Sequence, residues 1–150
     1  MSETQAIGLK CAPIYDSNHE DHDEHEGPFR ESLARTVVAA GLEVHRTLGP
    51  GLLESAYERC FAFELNARNL GFCRQAALPI RYKGVTLDAG FRLDIMVENT
   101  IIVEIKAVDA LTRVHEAQLL TYLKLSGRRI GFLMNFNAPL FKQGLSRLVV

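Results

Sequence analysis

Apolar and polar residues alternate with a period of two along much of the centre of the chain. Leu87, Phe91, Leu93 and Ile95 alternate with Asp88, Arg92 and Asp94, and Ile101, Val103 and Ile105 alternate with Ile102, Glu104 and Lys106. A period of two puts successive side chains on opposite faces of a strand, so two β-strands are predicted, with Glu98-Asn99-Thr100 as the loop between them. In that register Val97 pairs with Ile101, and Asp94 stands directly opposite Glu104. Glu104 and Lys106 share a face, and Ile101, Val103 and Ile105 take the other.

Upstream the period lengthens. Leu33, Val37, Ala40/Gly41, Val44 and Leu48 recur every three to four residues, which predicts an amphipathic helix from about Glu31. Gly49-Pro50-Gly51 breaks it. A second helix is predicted over roughly 52–69. Its apolar positions (Leu53, Ala56, Tyr57, Cys60, Phe61, Phe63, Leu65) cover more than one stripe, so burial on two sides is expected, and Gly71 ends it. Three strands follow: 72–82, with Pro79 arguing for an edge or a bulge; then 85–97, after a Lys83-Gly84 turn; then 101–108. Asp109 or Thr112 caps a helix that runs to about Ser126. A fourth strand spans 128–136, and 145–150 reads as a short last one. The predicted class is α/β, a mixed α+β sheet with helices against its faces. The helical crossover makes the third and fourth strands parallel.

Charge divides the chain. Residues 1–26 hold one Lys and seven acids, a net of -6, so the remainder carries +5. The run Asp16 to Glu26 has no apolar periodicity, so residues 1–28 are expected to be a disordered acidic tail and 29–150 the folded domain. His19, His22 and His25 recur every third residue there, a pattern open to adventitious metal binding. A basic body is compatible with a polyanionic partner. No apolar run is long enough to span a bilayer, and no secretory signal is visible. Three cysteines, Cys11, Cys60 and Cys73, are an odd number without motif spacing. They fit a reducing cytoplasm better than a disulfide framework.

The opposed carboxylates carry the candidate chemistry. Like charges directly across a strand pair repel, and a hard divalent cation such as Mg²⁺ or Mn²⁺ offsets that repulsion with oxygen ligands. The bland alternative is a solvated strand face with a surface ion pair. Glu54 opens the second helix, where a carboxylate suits the positive helix end; the functional alternative is a third acid at the metal site. His115, Gln118 and Tyr122 form one polar stripe on the helix after the third strand. His45 beside its apolar stripe reads as packed, and packing is the expected role of Tyr57. His115 is expected either at the site rim or bonded at the helix start. Arg92 either contacts phosphate or pairs with an acid. Asp88 lies about 20 Å upstream of Asp94 along an extended strand, too far for the same ion.

Asp94, then Glu104-Ile105-Lys106 on the next strand, then Gln118 and Tyr122 on the following helix resemble the PD-(D/E)XK nuclease superfamily, whose core order is αβββαβ. More narrowly, Gly51-Leu52-Leu53-Glu54-Ser55-Ala56-Tyr57 resembles the motif of the GxxExxY protein family. So do Glu43-Val44-His45, Gly90 to Asp94, His115 to Tyr122 and Asn135-Phe136-Asn137. The resemblance covers about 33–150. It implies a metal-dependent nuclease hydrolysing phosphodiester bonds, in DNA rather than RNA, with Mg²⁺ as cofactor and Mn²⁺ as its substitute. It further implies that Asp94, Glu104, Glu54 and the Ile105 carbonyl hold the metal. Lys106 would orient water or stabilise developing charge, and Gln118 and Tyr122 would hold phosphate or position Lys106. A homodimer is compatible with cutting both strands. The rival readings are a nucleic-acid-binding or scaffold protein that keeps the fold without turnover, and a metal buffer built on the His-containing tail.

Overall fold

The computed structural model describes residues 26–150; the acidic, His-containing tail and its expected metal chemistry lie outside the described residues. Two helices, α1 (Glu26–Leu48) and α2 (Glu54–Ala67), precede β1 (Phe72–Ala77), β2 (Ile80–Tyr82), β3 (Val85–Leu87), β4 (Arg92–Val97) and β5 (Ile101–Lys106). Then come α3 (Arg113–Ser126), β6 (Ile130–Asn135), a 3-10 turn at Phe141–Gln143 and β7 (Leu145–Val149). One sheet has the order β1-β4-β5-β6-β7, and β2 pairs with β3 alone. β5 and β6 run parallel, as a helical crossover requires, and the other pairs are antiparallel.

The faces follow the period-two pattern. Ile95, Val97, Ile101, Val103 and Ile105 pack with Val37, Val44, Tyr57, Phe61 and Leu65 of α1 and α2. Met96, Ile102 and Leu133 face Leu119, Tyr122 and Leu123 of α3. The sheet is thus covered on both sides. A Cβ on Gly131 would sit 2.9 Å from Leu119 Cδ1, so a side chain there would push α3 off β6.

The structure corrects several boundaries. The predicted first and second strands each divide. Pro79 cannot donate to a ladder, and the first breaks there into β1 and β2. The second breaks at Asp88-Ala89-Gly90, where Gly90 has φ +76° and its N–H bonds Asp88 Oδ1 at 3.0 Å. The freed segments form a hairpin over Lys83-Gly84, with φ +48° and +78°, the positive pair a two-residue turn needs. α1 starts at Glu26, ahead of the predicted start. α2 buries one stripe, Tyr57, Phe61, Ala62 and Leu65, not two; Leu53 and Phe63 face solvent because only the sheet and α1 adjoin the helix. Cys60 is a free thiol packed against the core.

The expected roles of two core residues hold. His45 is buried, with Nε2 bonded to the Ala138 carbonyl at 2.7 Å and its ring beside Phe141. Since Nε2 meets a carbonyl, it carries the proton. Tyr57 is fully buried and stacks on Phe136 at 4.8 Å. Its hydroxyl donates to Gly49 O at 2.6 Å and accepts from Leu52 N–H at 3.0 Å, so it also fixes the Gly49–Gly51 break that aims α2.

Candidate active site

β4 and β5 pair in the predicted register, Val97 with Ile101 through Ile95 with Val103. One step further, Asp94 faces Glu104. There the regular ladder stops and side chains replace it. Asp94 N–H donates to Glu104 Oε1 at 3.1 Å, and Ile105 N–H donates to Asp94 Oδ2 at 2.8 Å. Each carboxylate thus holds the backbone of the opposite strand, so their positions are set by the sheet. The sequence reason is local: each acid interrupts an apolar strand on the α3 face of the sheet.

Glu104 is buried, unusual for a carboxylate. Its pKa is pushed up from 4.5 to about 8. Burial is the main cause, followed by the neighbouring Asp94 charge. The hydrogen bond from Asp94 N–H and the charge of Lys106 act in the opposite direction.

Lys106 ends β5 two residues on, on the same face, half-exposed. Its Nζ donates to Gln118 Oε1 at 3.4 Å, and Gln118 Nε2 donates to the Tyr122 hydroxyl at 2.9 Å. One turn separates Gln118 from Tyr122, which sets both on one stripe of α3, with Tyr122 buried against the sheet and Gln118 exposed beside Lys106. Tyr122 has its pKa raised by burial first and by the charge of Glu104 next, so it stays protonated. Because its oxygen accepts from Gln118, its own proton is available to another acceptor.

Other candidate residues lie elsewhere. Glu54 is exposed at the start of α2, and no hydrogen bond or ion pair among the described residues joins it to the pair. No group of three or more His, Cys, Asp or Glu side chains able to hold a metal occurs among the described residues. His115 takes the helix-start role: Nδ1 accepts the N–H of the cap residue Thr112 at 3.0 Å. Arg92 pairs with Asp88 Oδ1 at 3.7 Å. Ile105 meets the pair through its N–H.

Asn135 stands in the sequence only within a motif string, with no role attached to it. It is buried and bridges Val108, accepting its N–H at 3.0 Å and donating to its carbonyl at 2.9 Å. Phe136 N–H bonds the Lys106 carbonyl at 3.0 Å. The chain leaving β5 beside Lys106 is therefore clamped by the end of β6. An amide following the apolar run Ile130 to Met134 is the signal that marks it. Asn137 Oδ1 accepts from Gly51 N–H at 3.2 Å, which ties the α2 entry to the same turn.

The donor set fits a hard divalent ion. Both groups are carboxylates from adjacent strands, each with one oxygen spent on a backbone N–H, and Mg²⁺ sites commonly use one or two protein carboxylates plus waters and phosphate. An ion there would offset the repulsion that raises Glu104.

No curated protein and no solved structure matches the chain. The family model for the PD-(D/E)XK nuclease superfamily matches residues 31–148, which spans both layers of helix, the sheet and every residue of the candidate site. The chain belongs to the PD-(D/E)XK nuclease superfamily.

Proposed function

We propose that the protein is a metal-dependent nuclease that hydrolyses phosphodiester bonds in DNA, with Mg²⁺ as its ion and Mn²⁺ as a working substitute. Superfamily membership suggests nuclease activity. The observation that carries the reading is the exchange of bonds between Asp94 and Glu104 beside the Lys106–Gln118–Tyr122 chain. Asp94 and Glu104 would hold the ion, with the Ile105 carbonyl and Glu54 as further ligands, Glu54 directly or through water.

When bound, the ion supplies Lewis acidity and charge neutralisation at the phosphate. Lys106 brings a positive group to the same face, to orient water or stabilise developing negative charge. Gln118 holds the Lys106 ammonium in direction. Tyr122 keeps its proton and donates a hydrogen bond to a phosphate oxygen. Burial of Glu104 excludes water behind the pair, which strengthens each of these interactions.

The narrower assignment to the GxxExxY family rests on Gly51, Glu54 and Tyr57, and Tyr57 supports it by fixing the loop that carries Glu54. No helix among the described residues is long and apolar enough to cross a membrane; a cytoplasmic location and a homodimer belong to the proposal.

The test incubates the full chain with single- and double-stranded DNA and RNA in Mg²⁺, Mn²⁺ or EDTA. Metal-dependent cleavage of DNA that falls roughly 10²–10⁴-fold in Lys106→Ala is the expected result. Binding without cleavage in every condition would establish the rival, a nucleic-acid-binding or scaffold protein that keeps the fold.

A further inference from the structure

The β2–β3 hairpin is the least covered part of the described chain. Twelve consecutive residues, Arg81 to Arg92, are exposed, and neither strand packs substantially on any element but its partner. A lone two-stranded hairpin is marginal in water, and this one does not hide its apolar residues. The register Ile80↔Leu87 and Tyr82↔Val85 puts those four side chains on one face and leaves Arg81 with Thr86 on the other. Tyr82 is 59% exposed and Val85 56%. Lys83 Nζ lies 5.3 Å from the Tyr82 ring centroid, and neither Arg81 nor Lys83 has a carboxylate partner among the described residues.

The hairpin is rooted at the candidate site. Leu78 N–H bonds Phe91 O at 3.0 Å and closes its base. The Phe91 ring packs against Tyr122 at 6.2 Å, and Tyr122 feels the charges of Glu104 and Asp94. Asp94 itself follows Phe91 by three residues. Three strand residues reach about 10 Å, so the base of the hairpin stands within a nucleotide or two of the carboxylate pair and the tip extends farther out.

An aromatic ring with Lys83 beside it and Arg81 on the opposite face of the same hairpin matches one ligand chemistry. Single-stranded nucleic acid offers a base face to the ring and phosphates to the cations. A duplex offers only phosphates on its outside and leaves Ile80, Tyr82, Val85 and Leu87 uncovered. A second protein surface would cover the apolar face but would strand Arg81 and Lys83 without anionic partners. We propose that the β2–β3 hairpin is an arm that grips a single-stranded segment of nucleic acid leading toward the carboxylate pair: Tyr82 stacks on a base, and Arg81 and Lys83 hold phosphates. The arm deepens the nuclease reading, and rests on it only for the claim that the gripped strand leads to a cleavage centre.

The test measures anisotropy of a labelled oligothymidylate and of a labelled duplex with the full chain in EDTA, so that binding is read without cleavage. The expected result is tighter binding of the single strand. Tyr82→Ala weakens it about tenfold, and Tyr82→Phe restores it because the ring is kept. Arg81→Ala/Lys83→Ala lowers the slope of log affinity against log salt by about 1.4, roughly 0.7 per phosphate. All the replaced side chains are exposed, and an unchanged circular dichroism spectrum shows that the fold is intact. Equal affinity in the wild type and the hairpin variants overturns the proposal, as does a change from dimer to monomer on sedimentation with no loss of oligonucleotide affinity. If the hairpin variants lose binding while the wild type never cuts with metal, the arm stands and the nuclease reading fails. If the variants bind and cut as the wild type does, the arm fails and the nuclease reading stands.

Discussion

Glu104→Gln is expected to stabilise the metal-free protein while abolishing its metal site. Glu104 is 3% exposed and its pKa stands at about 8 against 4.5 for an ordinary glutamate. The folded state therefore holds the proton more tightly than the unfolded chain. Between those two values the unfolded state has lost the proton and the folded state keeps it, so stability falls as pH rises through that window and levels off above it. Every tenfold difference in proton affinity between the two states corresponds to about 1.36 kcal/mol. The cost of the carboxyl is thus about 1 kcal/mol at pH 5 and roughly 5 kcal/mol at pH 9. Glutamine removes the titration. Its carbonyl still accepts from Asp94 N–H, and its amide can donate to the Asp94 carboxylate. Urea denaturation of both proteins in EDTA at pH 5 and pH 9 reads the effect, because titrating groups that do not interact with Glu104 cancel in the comparison. The variant should gain about 4 kcal/mol more at pH 9 than at pH 5. Mg²⁺ at about 100 times its dissociation constant should then add about 2.7 kcal/mol to the wild type and nothing to the variant. A gain that is the same at both pH values, or a variant less stable than the wild type at pH 9, would show that Glu104 is not held protonated by burial.

Three further outcomes follow from particular contacts. Asn135→Ala leaves the Val108 N–H and carbonyl without their partner, so it should cost roughly 2–6 kcal/mol in urea unfolding, at about 1–3 kcal/mol for each group left unmade. Tyr57→Phe keeps the stack on Phe136 and loses the bonds to Gly49 and Leu52; a loss of about 1–3 kcal/mol is expected by the same measurement. Glu54→Gln should leave stability within about 1 kcal/mol, the scale of the helix-end charge it removes, yet lower metal-dependent cleavage roughly 10–100-fold if Glu54 supports the ion; unchanged cleavage would take Glu54 out of the site.

The strands and their register were legible because period two is a strong signal over a half-buried sheet. Val97 opposite Ile101 follows from a three-residue loop and alternation alone, and with it the meeting of Asp94 and Glu104. The parallel pairing of β5 and β6 followed from the helix between them. The break at Asp88–Gly90 was not legible, since alternation continues through it, and Pro79 read as an edge or a bulge rather than as the end of a strand; what ends β1 and β3 is the turn chemistry of a hairpin that leaves the sheet. Phe63 and Leu53 misled in the opposite sense, because an apolar residue on a helix does not reveal whether an element exists to cover it. At the site, sequence placed Asp94, Glu104, Lys106, Gln118 and Tyr122 in one neighbourhood but not the bonds among them. That each carboxylate holds the opposite strand's N–H depends on where the ladder ends. Asn135 went unassigned because its partner, Val108, lies 27 residues away and is reached only through the parallel pairing.

The central claim is that Asp94 and Glu104 grip one cation. Crystals soaked in Mn²⁺ and measured at the manganese absorption edge test it most directly. One anomalous peak touching a carboxylate oxygen of both residues at about 2.0–2.3 Å, absent in Glu104→Gln, is expected. No peak at the pair in a protein that cleaves DNA with Mn²⁺, or a peak bound to other side chains, would contradict it.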